Sequence, residues 1–250
     1  MSKLLEGKIC IVTGAGRGIG MAITKLFAEN GAFVYANDVS LNSIDNWISD
    51  IPSEIQKKIR PLYFDITNEK QIRENILVIK RESEHVDILI NNAGIEYNEI
   101  IGMISEKRMK EMFEVNVFGA INMIQIVSRL MSRQKKGGCI INISSLVGLH
   151  GNSGQLVYSA TKGAIISLTK SAAKELADKG IRVNSIAPGL TQTEMMKQAD
   201  LNKLQERISN IRLGRLATPL DIAKGCLLLS SDYAEYISGQ VLSVDGCTIM

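Results

Sequence analysis

Short apolar runs alternate with longer amphipathic segments along the whole chain. Seven runs rich in Val and Ile predict strands, at residues 8–13, 32–37, 60–64, 86–90, 138–144, 181–187 and 240–244. Helical spacing of apolar residues occurs between them, at residues 19–30, 68–84, 107–134, 157–179 and 219–229. This alternation is typical of repeated βαβ units, which form a parallel sheet through right-handed crossovers. We therefore predict an α/β, Rossmann-like, doubly wound parallel sheet of about seven strands with helices on both faces.

The pattern supports one domain over residues 1–250 and is interrupted once. A chain of 250 residues, 45% of them hydrophobic, can bury a large core, and no linker or repeat divides it. Residues 188–213, after the sixth strand, are polar and only weakly helical. Loops at the carboxyl ends of strands surround the ligand in such sheets, so we interpret this stretch as a substrate-covering lid. A plain surface insertion explains it equally well.

Composition narrows the classes of partner. The formal net charge is +3, with Lys and Arg scattered among acids, so nucleic acid is not expected. The N-terminus lacks a signal-peptide pattern, and no apolar run approaches the roughly 18 residues that span a bilayer. The four cysteines are widely spaced, without a CxxC pair or a nearby His cluster. We expect a cytoplasmic protein with reduced thiols, no membrane association and no metal site.

A glycine-rich turn, TGAGRGIG at residues 13–20, joins the first predicted strand to the first predicted helix. Glycines permit a tight turn, so that pyrophosphate can approach free N–H groups at a helix N-terminus. The position inside a βαβ unit favours dinucleotide binding over a merely structural turn. The candidate cofactor-binding residues of this turn are Gly14, Arg17, Gly18, Ile19 and Gly20.

Asp38 ends the second predicted strand, where a carboxylate can accept hydrogen bonds from the adenosine ribose and repel a 2′-phosphate. It therefore favours NAD as cofactor. Arg17 is a counter-signal, since a guanidinium beside the glycines can pair with a 2′-phosphate, and NADP stays open. The alternative role for Asp38 is an Asx cap of the turn that begins with Val39 and Ser40.

Tyr158 and Lys162 are four residues apart in a predicted helix and share one face. A nearby ammonium would favour the ionised phenol, whose unperturbed pKa is about 10. Tyrosine could then exchange a proton with a substrate oxygen during ketone reduction. Ser144 and Ser145, at the end of the fifth predicted strand, compete to hydrogen-bond that oxygen. Taken alone, such a Tyr–Lys pair is usually just a helix surface, and such a serine a cap.

Together these motifs resemble the classical short-chain dehydrogenase/reductase family over essentially the whole chain. The resemblance implies a catalytic set of Asn116, Ser145, Tyr158 and Lys162, in which Ser145 is chosen by its place thirteen residues before the tyrosine. Asn116 is implied to position a water in a proton relay through Lys162. Tyr158 and Lys162 are also counted as cofactor-binding, the lysine at the nicotinamide ribose. Further cofactor contacts are implied for Asp65, Ile66, Asn92, Ala93, Gly94, Pro188, Gly189 and Thr193, with Thr191 as a second candidate for the nicotinamide carboxamide.

Residues 147–155 and 213–215 resemble the 3-oxoacyl-acyl-carrier-protein reductases in particular. The basic positions that dock the carrier protein there fall on Lys136 and Lys179, although each is also explained as a solvated lysine. Asp38 departs from the NADPH use typical of that subfamily. An NAD-dependent dehydrogenase of a sugar, polyol, hydroxy acid or steroid-like alcohol therefore stays open, as does a catalytically silent dinucleotide sensor. The resemblance also implies a homotetramer, built through the long helices at 107–134 and 157–179.

Overall fold

The computed structural model describes residues 3–192 and 208–249. Seven strands form one parallel sheet in the order β3-β2-β1-β4-β5-β6-β7. The strands are β1 Ile9–Thr13, β2 Phe33–Asp38, β3 Ile59–Tyr63, β4 Ile88–Asn91, β5 Gly138–Ile143, β6 Ile181–Pro188 and β7 Val241–Val244. The predicted strands and the Rossmann-like α/β class are confirmed.

Helices cover both faces of the sheet. They are α1 Gly18–Glu29, α2 Asp45–Ile48, α3 Ser53–Gln56, α4 Glu69–Ser83, α5 Glu106–Phe113, α6 Ala120–Met131, α7 Leu146–His150, α8 Leu156–Leu176 and α9 Pro219–Ser230. The predicted helix at 107–134 consists of α5 and α6 joined by a π-helical segment, Glu114–Gly119. The short helices α2, α3 and α7 were not predicted, because four or five residues are too few to show a helical period.

Two apolar cores lie on opposite faces of the sheet. Successive residues of a strand point to opposite faces, and in β1 the side chain of Ile11 packs in one core while that of Val12 packs in the other. The first core contains α1 and α9, and the second contains α4, α6 and α8. Burial on both sides explains why the strands are nearly continuous apolar runs. Over the described ranges, no helix is long and apolar enough to cross a bilayer.

The strand order reverses between β1 and β4. The chain runs outward from β1 through β2 to β3, then returns to place β4 on the other side of β1. In open parallel sheets this reversal leaves a crevice at the carboxyl ends of the strands, where ligands bind. The glycine turn after β1, the loop after β4 and the end of β5 all lie at that edge. The fold thus brings the predicted site residues to one side of the molecule.

Candidate active site

The glycine turn after β1 has a backbone that side chains would not tolerate. Gly14 and Gly18 adopt left-handed conformations, with φ of +66° and +56°. A Cβ added at Gly20 would lie 2.0 Å from the Gly14 carbonyl oxygen, so the start of α1 packs directly on the turn. Arg17 precedes α1 and is exposed. Because the turn and helix pack closely, the backbone N–H groups at the start of α1 can face a pyrophosphate.

Asp38 lies against this turn. Its Oδ2 accepts a hydrogen bond from Gly16 N at 2.9 Å, and its Oδ1 accepts one from Ser40 N at 2.9 Å. The second bond is the Asx cap considered as the alternative role, so the carboxylate holds its own turn and also faces the glycine loop. Gly16 was not among the predicted site residues, and a Cβ added there would lie 2.7 Å from Asp38 Oδ2. The carboxylate therefore places negative charge beside the phosphate loop.

The loop after β4 is fastened to the end of β1. Asn92 Nδ2 donates to the carbonyl oxygens of Thr13 at 2.9 Å and Gly14 at 3.0 Å. The N–H groups of Asn92 and Ala93 both donate to Thr13 Oγ1 at 3.0 Å. Since an amide NH₂ has two hydrogens, both donors of the Asn92 side chain are used in supporting the glycine turn. The side-chain amide of Asn92 thus holds the glycine turn in place.

The remaining cofactor candidates lie along the same edge of the sheet. Asp65 Oδ1 accepts hydrogen bonds from Thr67 N and Oγ1, each at 2.8 Å, and Asp65 lines a shallow pocket after β3. Ile66 is buried, and a Cβ added at Gly119 would lie 2.7 Å from it. The side chain of Ile66 is thus part of the packing.

Pro188 ends β6, and Gly189 N donates to the Val244 carbonyl oxygen at 3.0 Å. Thr191 is buried, and its Oγ1 donates to the Gly189 carbonyl oxygen at 2.9 Å. Thr193 lies outside the described residues, as does most of the predicted lid at 188–213. Both assignments stay predictions.

The structure separates the two serines at the end of β5. Ser144 is buried, donates to the Ile186 carbonyl oxygen at 2.9 Å and accepts from Ser185 Oγ at 2.8 Å. Ser145 precedes α7 with an extended backbone, and its hydroxyl is near enough to the phenol of Tyr158 to lower the pKa of that phenol. Ser144 therefore belongs to the packing, whereas Ser145 is placed beside the phenol.

Tyr158 lies in the first turn of α8, and its acidity differs from our expectation. Burial, followed by the negative charge of Glu96, raises the pKa of the phenol above its usual value, and the neighbouring Ser145 hydroxyl opposes the shift only in part. The expectation that Lys162 lowers this pKa is wrong for the chain by itself. Removal of the phenolate from water has the largest effect on this pKa, and the Lys162 ammonium is directed to the Ile143 carbonyl oxygen.

Lys162 is buried one turn farther along α8. Its Nζ donates to the Ile143 carbonyl oxygen at 2.9 Å and lies 5.7 Å from the centroid of the Tyr158 ring. Burial lowers the pKa of Lys162 to about 8, and the charge of Glu96 opposes the shift. Gly148 makes room for this arrangement, since a Cβ there would lie 2.7 Å from the Lys162 carbonyl carbon. The ammonium is thus held at the end of β5.

Asn116 lies in the π-helical segment between α5 and α6. Its Oδ1 accepts from Ile95 N at 2.8 Å, while its Nδ2 donates to the Ile95 carbonyl oxygen at 2.9 Å and to Thr161 Oγ1 at 3.1 Å. Both amide hydrogens are used, so only Oδ1 keeps capacity for a water. Asn116 therefore positions the loop after β4, and its implied proton-relay role stays a prediction. A π-segment of this kind often marks a functional site.

Glu96, the acid that raises the pKa of Tyr158, was not among the predicted site residues. It is half-buried, and its side chain accepts a hydrogen bond from Gln155 Nε2 just before α8. Its place directly after the NNAGI run was the one available signal.

Lys136 and Lys179 lie at the opposite edge of the sheet from Tyr158. They precede the amino ends of β5 and β6, where Gly138 N donates to the Gly180 carbonyl oxygen at 3.3 Å. Lys179 forms an exposed ion pair with Asp178 at 2.8 Å. Within one chain, the two lysines therefore do not border the candidate site.

The cysteines stand apart from the site as well. Cys10, Cys139 and Cys226 are buried free thiols and Cys247 is exposed. In the ranges 3–192 and 208–249, no cluster of His, Cys, Asp or Glu is arranged to hold a metal.

Known proteins resemble this chain over nearly its full length. The short chain dehydrogenase family matches residues 8–204. The 3-oxoacyl-[acyl-carrier-protein] reductase FabG of Thermotoga maritima is 38% identical over 97% of this chain and 98% of its own. The protein of the same name from Chlamydia muridarum is 37% identical over 98% and 99%, and the 3alpha-hydroxysteroid dehydrogenase of Mediterraneibacter gnavus is 37% identical over 98% of each chain. The chain is therefore an oxidoreductase that acts on CH–OH groups, and it belongs to the short chain dehydrogenase family.

Proposed function

We propose that this chain is an NAD(H)-linked reductase of 3-oxoacyl thioesters, with Tyr158 as its proton donor. The observation that carries the proposal is the convergence of Tyr158, Ser145 and Lys162 on the sheet edge that bears the glycine turn. The names of the relatives in Thermotoga and Chlamydia supply the substrate class, and the attached group would be an acyl carrier protein. A homotetramer stays a prediction.

The residues of the glycine turn and Lys162 would hold a nicotinamide dinucleotide, the cofactor class that the family implies. When bound, the nicotinamide supplies the hydride that a ketone carbon needs. Asp38 supports NAD over NADP, because its carboxylate faces Gly16 N and would repel a 2′-phosphate. The 3-oxoacyl reductases resembled here typically use NADPH, so the cofactor is the main point at which this chain would differ from them.

The chain's own groups would protonate the substrate oxygen. With its pKa raised, the phenol of Tyr158 is protonated at neutral pH, which is the form that can donate to a ketone oxygen in the reductive direction. Ser145 would donate a second hydrogen bond to that oxygen as negative charge develops on it. Lys162, with a pKa of about 8, stays mostly charged at pH 7 and stabilises negative charge nearby.

A cofactor-monitored assay tests the proposal. Acetoacetyl thioesters of N-acetylcysteamine and of acyl carrier protein are offered with NADH and, in parallel, with NADPH. Sugars, polyols, hydroxy acids and a 3α-hydroxysteroid are offered with NAD⁺ and NADP⁺. We expect the highest kcat/KM for a thioester with NADH. A higher value for any of the alcohols would overturn the substrate assignment, and a preference for NADPH would overturn the cofactor assignment.

A further inference from the structure

The carboxylate of Glu96 is held at the catalytic edge of the sheet by a hydrogen bond from α8's N-terminal flank. Its side chain accepts a hydrogen bond from Gln155 Nε2, and Gln155 Oε1 in turn accepts from Asn152 Nδ2 at 2.6 Å. Gln155 directly precedes α8, three residues before Tyr158. The hydrogen bond therefore ties Glu96 to the helix that carries the phenol.

The backbone on either side of Glu96 is also fixed. Ile95 exchanges two hydrogen bonds with the Asn116 side chain, at 2.8 and 2.9 Å, and Glu99 N donates to the Gly154 carbonyl oxygen at 2.8 Å. Because both flanks are held, the carboxylate has little freedom to move away from the site.

The charge of Glu96 acts on the reacting groups. A Cβ added at Gly94, two residues earlier, would lie 3.4 Å from Lys162 Nζ, so this loop borders the catalytic lysine. The carboxylate raises the pKa of both Tyr158 and Lys162. In the described part of the chain, no Lys or Arg forms an ion pair with Glu96, and its hydrogen-bond donor Gln155 is neutral. The buried ammonium of Lys162 feels the charge of Glu96 but donates its hydrogen bond to the Ile143 carbonyl oxygen, so the two groups form no ion pair.

We propose that Glu96 is a specificity-determining residue, which excludes substrates with a free carboxylate beside the reacting carbonyl and admits neutral 3-oxoacyl thioesters. The inference rests on the proposed function, because that function names the neutral acyl group. A 3-oxo acid would bring a second negative charge into a partly buried site, where like charges repel more strongly than in water. The corresponding thioester or ester has the same ketone without that charge.

The test compares three probes that share one ketone: acetoacetate, ethyl acetoacetate and the acetoacetyl thioester of N-acetylcysteamine. Glu96→Gln removes the charge and keeps an oxygen that can accept from Gln155. The control, Glu54→Gln, removes an equal charge from an exposed residue of α3. We measure kcat/KM with NADH and, separately, the affinity of each ketone for the enzyme with NAD⁺, under which the ketone cannot be reduced.

We expect wild type to favour both neutral probes over acetoacetate, and Glu96→Gln to narrow that ratio by about tenfold in turnover and in binding. Glu54→Gln should leave the ratio as in wild type. An unchanged ratio in Glu96→Gln, or equal narrowing in the control, overturns the inference.

The inference and the proposed function fail in different ways. If wild type reduces the thioester and Glu96→Gln leaves the ratio unchanged, only the inference fails. If wild type does not reduce the thioester but the binding ratio still narrows, only the proposed function fails. If neither neutral probe is bound or reduced by any of the three proteins, both fail.

Discussion

The ammonium of Lys162 lies 5.7 Å from the centroid of the Tyr158 ring and donates its hydrogen bond to the Ile143 carbonyl oxygen. The lysine is thus placed beside the phenol ring and is anchored to the end of β5. Burial, followed by the charge of Glu96, raises the pKa of the phenol, so that in the chain by itself Tyr158 is a proton donor and not a base. For the chain to oxidise an alcohol, a bound dinucleotide would have to lower the pKa of Tyr158, so that the phenolate can accept a proton.

Replacement of Tyr158 by Phe should abolish turnover while the dinucleotide still binds. Tyr158→Phe removes only the hydroxyl that exchanges the proton, and loss of a general acid typically lowers kcat by about 100-fold or more. Steady-state kinetics give kcat, and NADH fluorescence titration gives the affinity. Tyr236→Phe, at a fully exposed tyrosine, is the control and should behave as wild type. Wild-type turnover in Tyr158→Phe would disprove the role of the phenol.

The buried Lys162 should make stability depend on pH in a defined direction. Its pKa is lowered from 10.5 to about 8, so the folded chain binds fewer protons than the unfolded chain between these values. This group therefore opposes folding below pH 8, and its penalty is relieved as the pH rises toward 10.5.

Lys162→Met removes that penalty at every pH. The variant's free energy of unfolding relative to wild type should therefore fall by about 2 kcal/mol between pH 7 and pH 9.5. Urea unfolding at a series of pH values measures this difference. Lys170→Met, at an exposed position of the same helix, should show no such trend. A difference that does not change with pH would mean that the Lys162 pKa is not lowered by folding.

The charge of Asp38 should set the choice between the two dinucleotides. Asp38→Asn removes the charge that repels a 2′-phosphate, so the ratio of kcat/KM for NADH over NADPH should fall by about tenfold or more. Asp50→Asn, at an exposed aspartate, is the matched control. If wild type already prefers NADPH, the assignment of Asp38 is wrong, whatever the variant does.

Much of this arrangement could be predicted from the sequence because it depends on local patterns. Apolar runs of Val and Ile identify strands buried on both faces. The turn after β1 is recognisable because Gly14 and Gly20 occupy positions where a side chain would clash with the backbone. The position of Tyr158 four residues before Lys162 placed both on one face of α8. The choice of Ser145 over Ser144 needed the family resemblance, because both serines end the same strand.

The features that escaped prediction depend on contacts between distant parts of the chain. The π-helical segment has the same apolar spacing as the helices around it, and its Asn116 side chain bonds to Ile95 and Thr161, which are distant in sequence. Glu96 looked like an ordinary loop acid, since its partner Gln155 is 59 residues away in sequence. The pKa of Tyr158 was predicted in the wrong direction, because spacing along a helix shows proximity but not the extent of burial.

The glycine turn makes a prediction that separates cofactor binding from general stability. Gly20→Ala would place a Cβ 2.0 Å from the Gly14 carbonyl oxygen, so the turn and the start of α1 must move apart and NADH affinity should be lost. Gly163→Ala is the contrasting variant, because its nearest contact is the Gly148 carbonyl oxygen at 3.5 Å. Alanine in a helix interior should stabilise that variant by about 1 kcal/mol.

Thermal denaturation and NADH titration on both variants decide the matter. If Gly20→Ala stays folded and binds NADH as tightly as wild type, the turn does not hold the pyrophosphate, and the dinucleotide site must be sought elsewhere. If Gly20→Ala stays folded but loses NADH, the turn is needed for binding and not only for folding. If Gly20→Ala unfolds, NADH titration of Arg17→Ala tests the turn instead. The Arg17 side chain is exposed, so its removal should leave the fold intact.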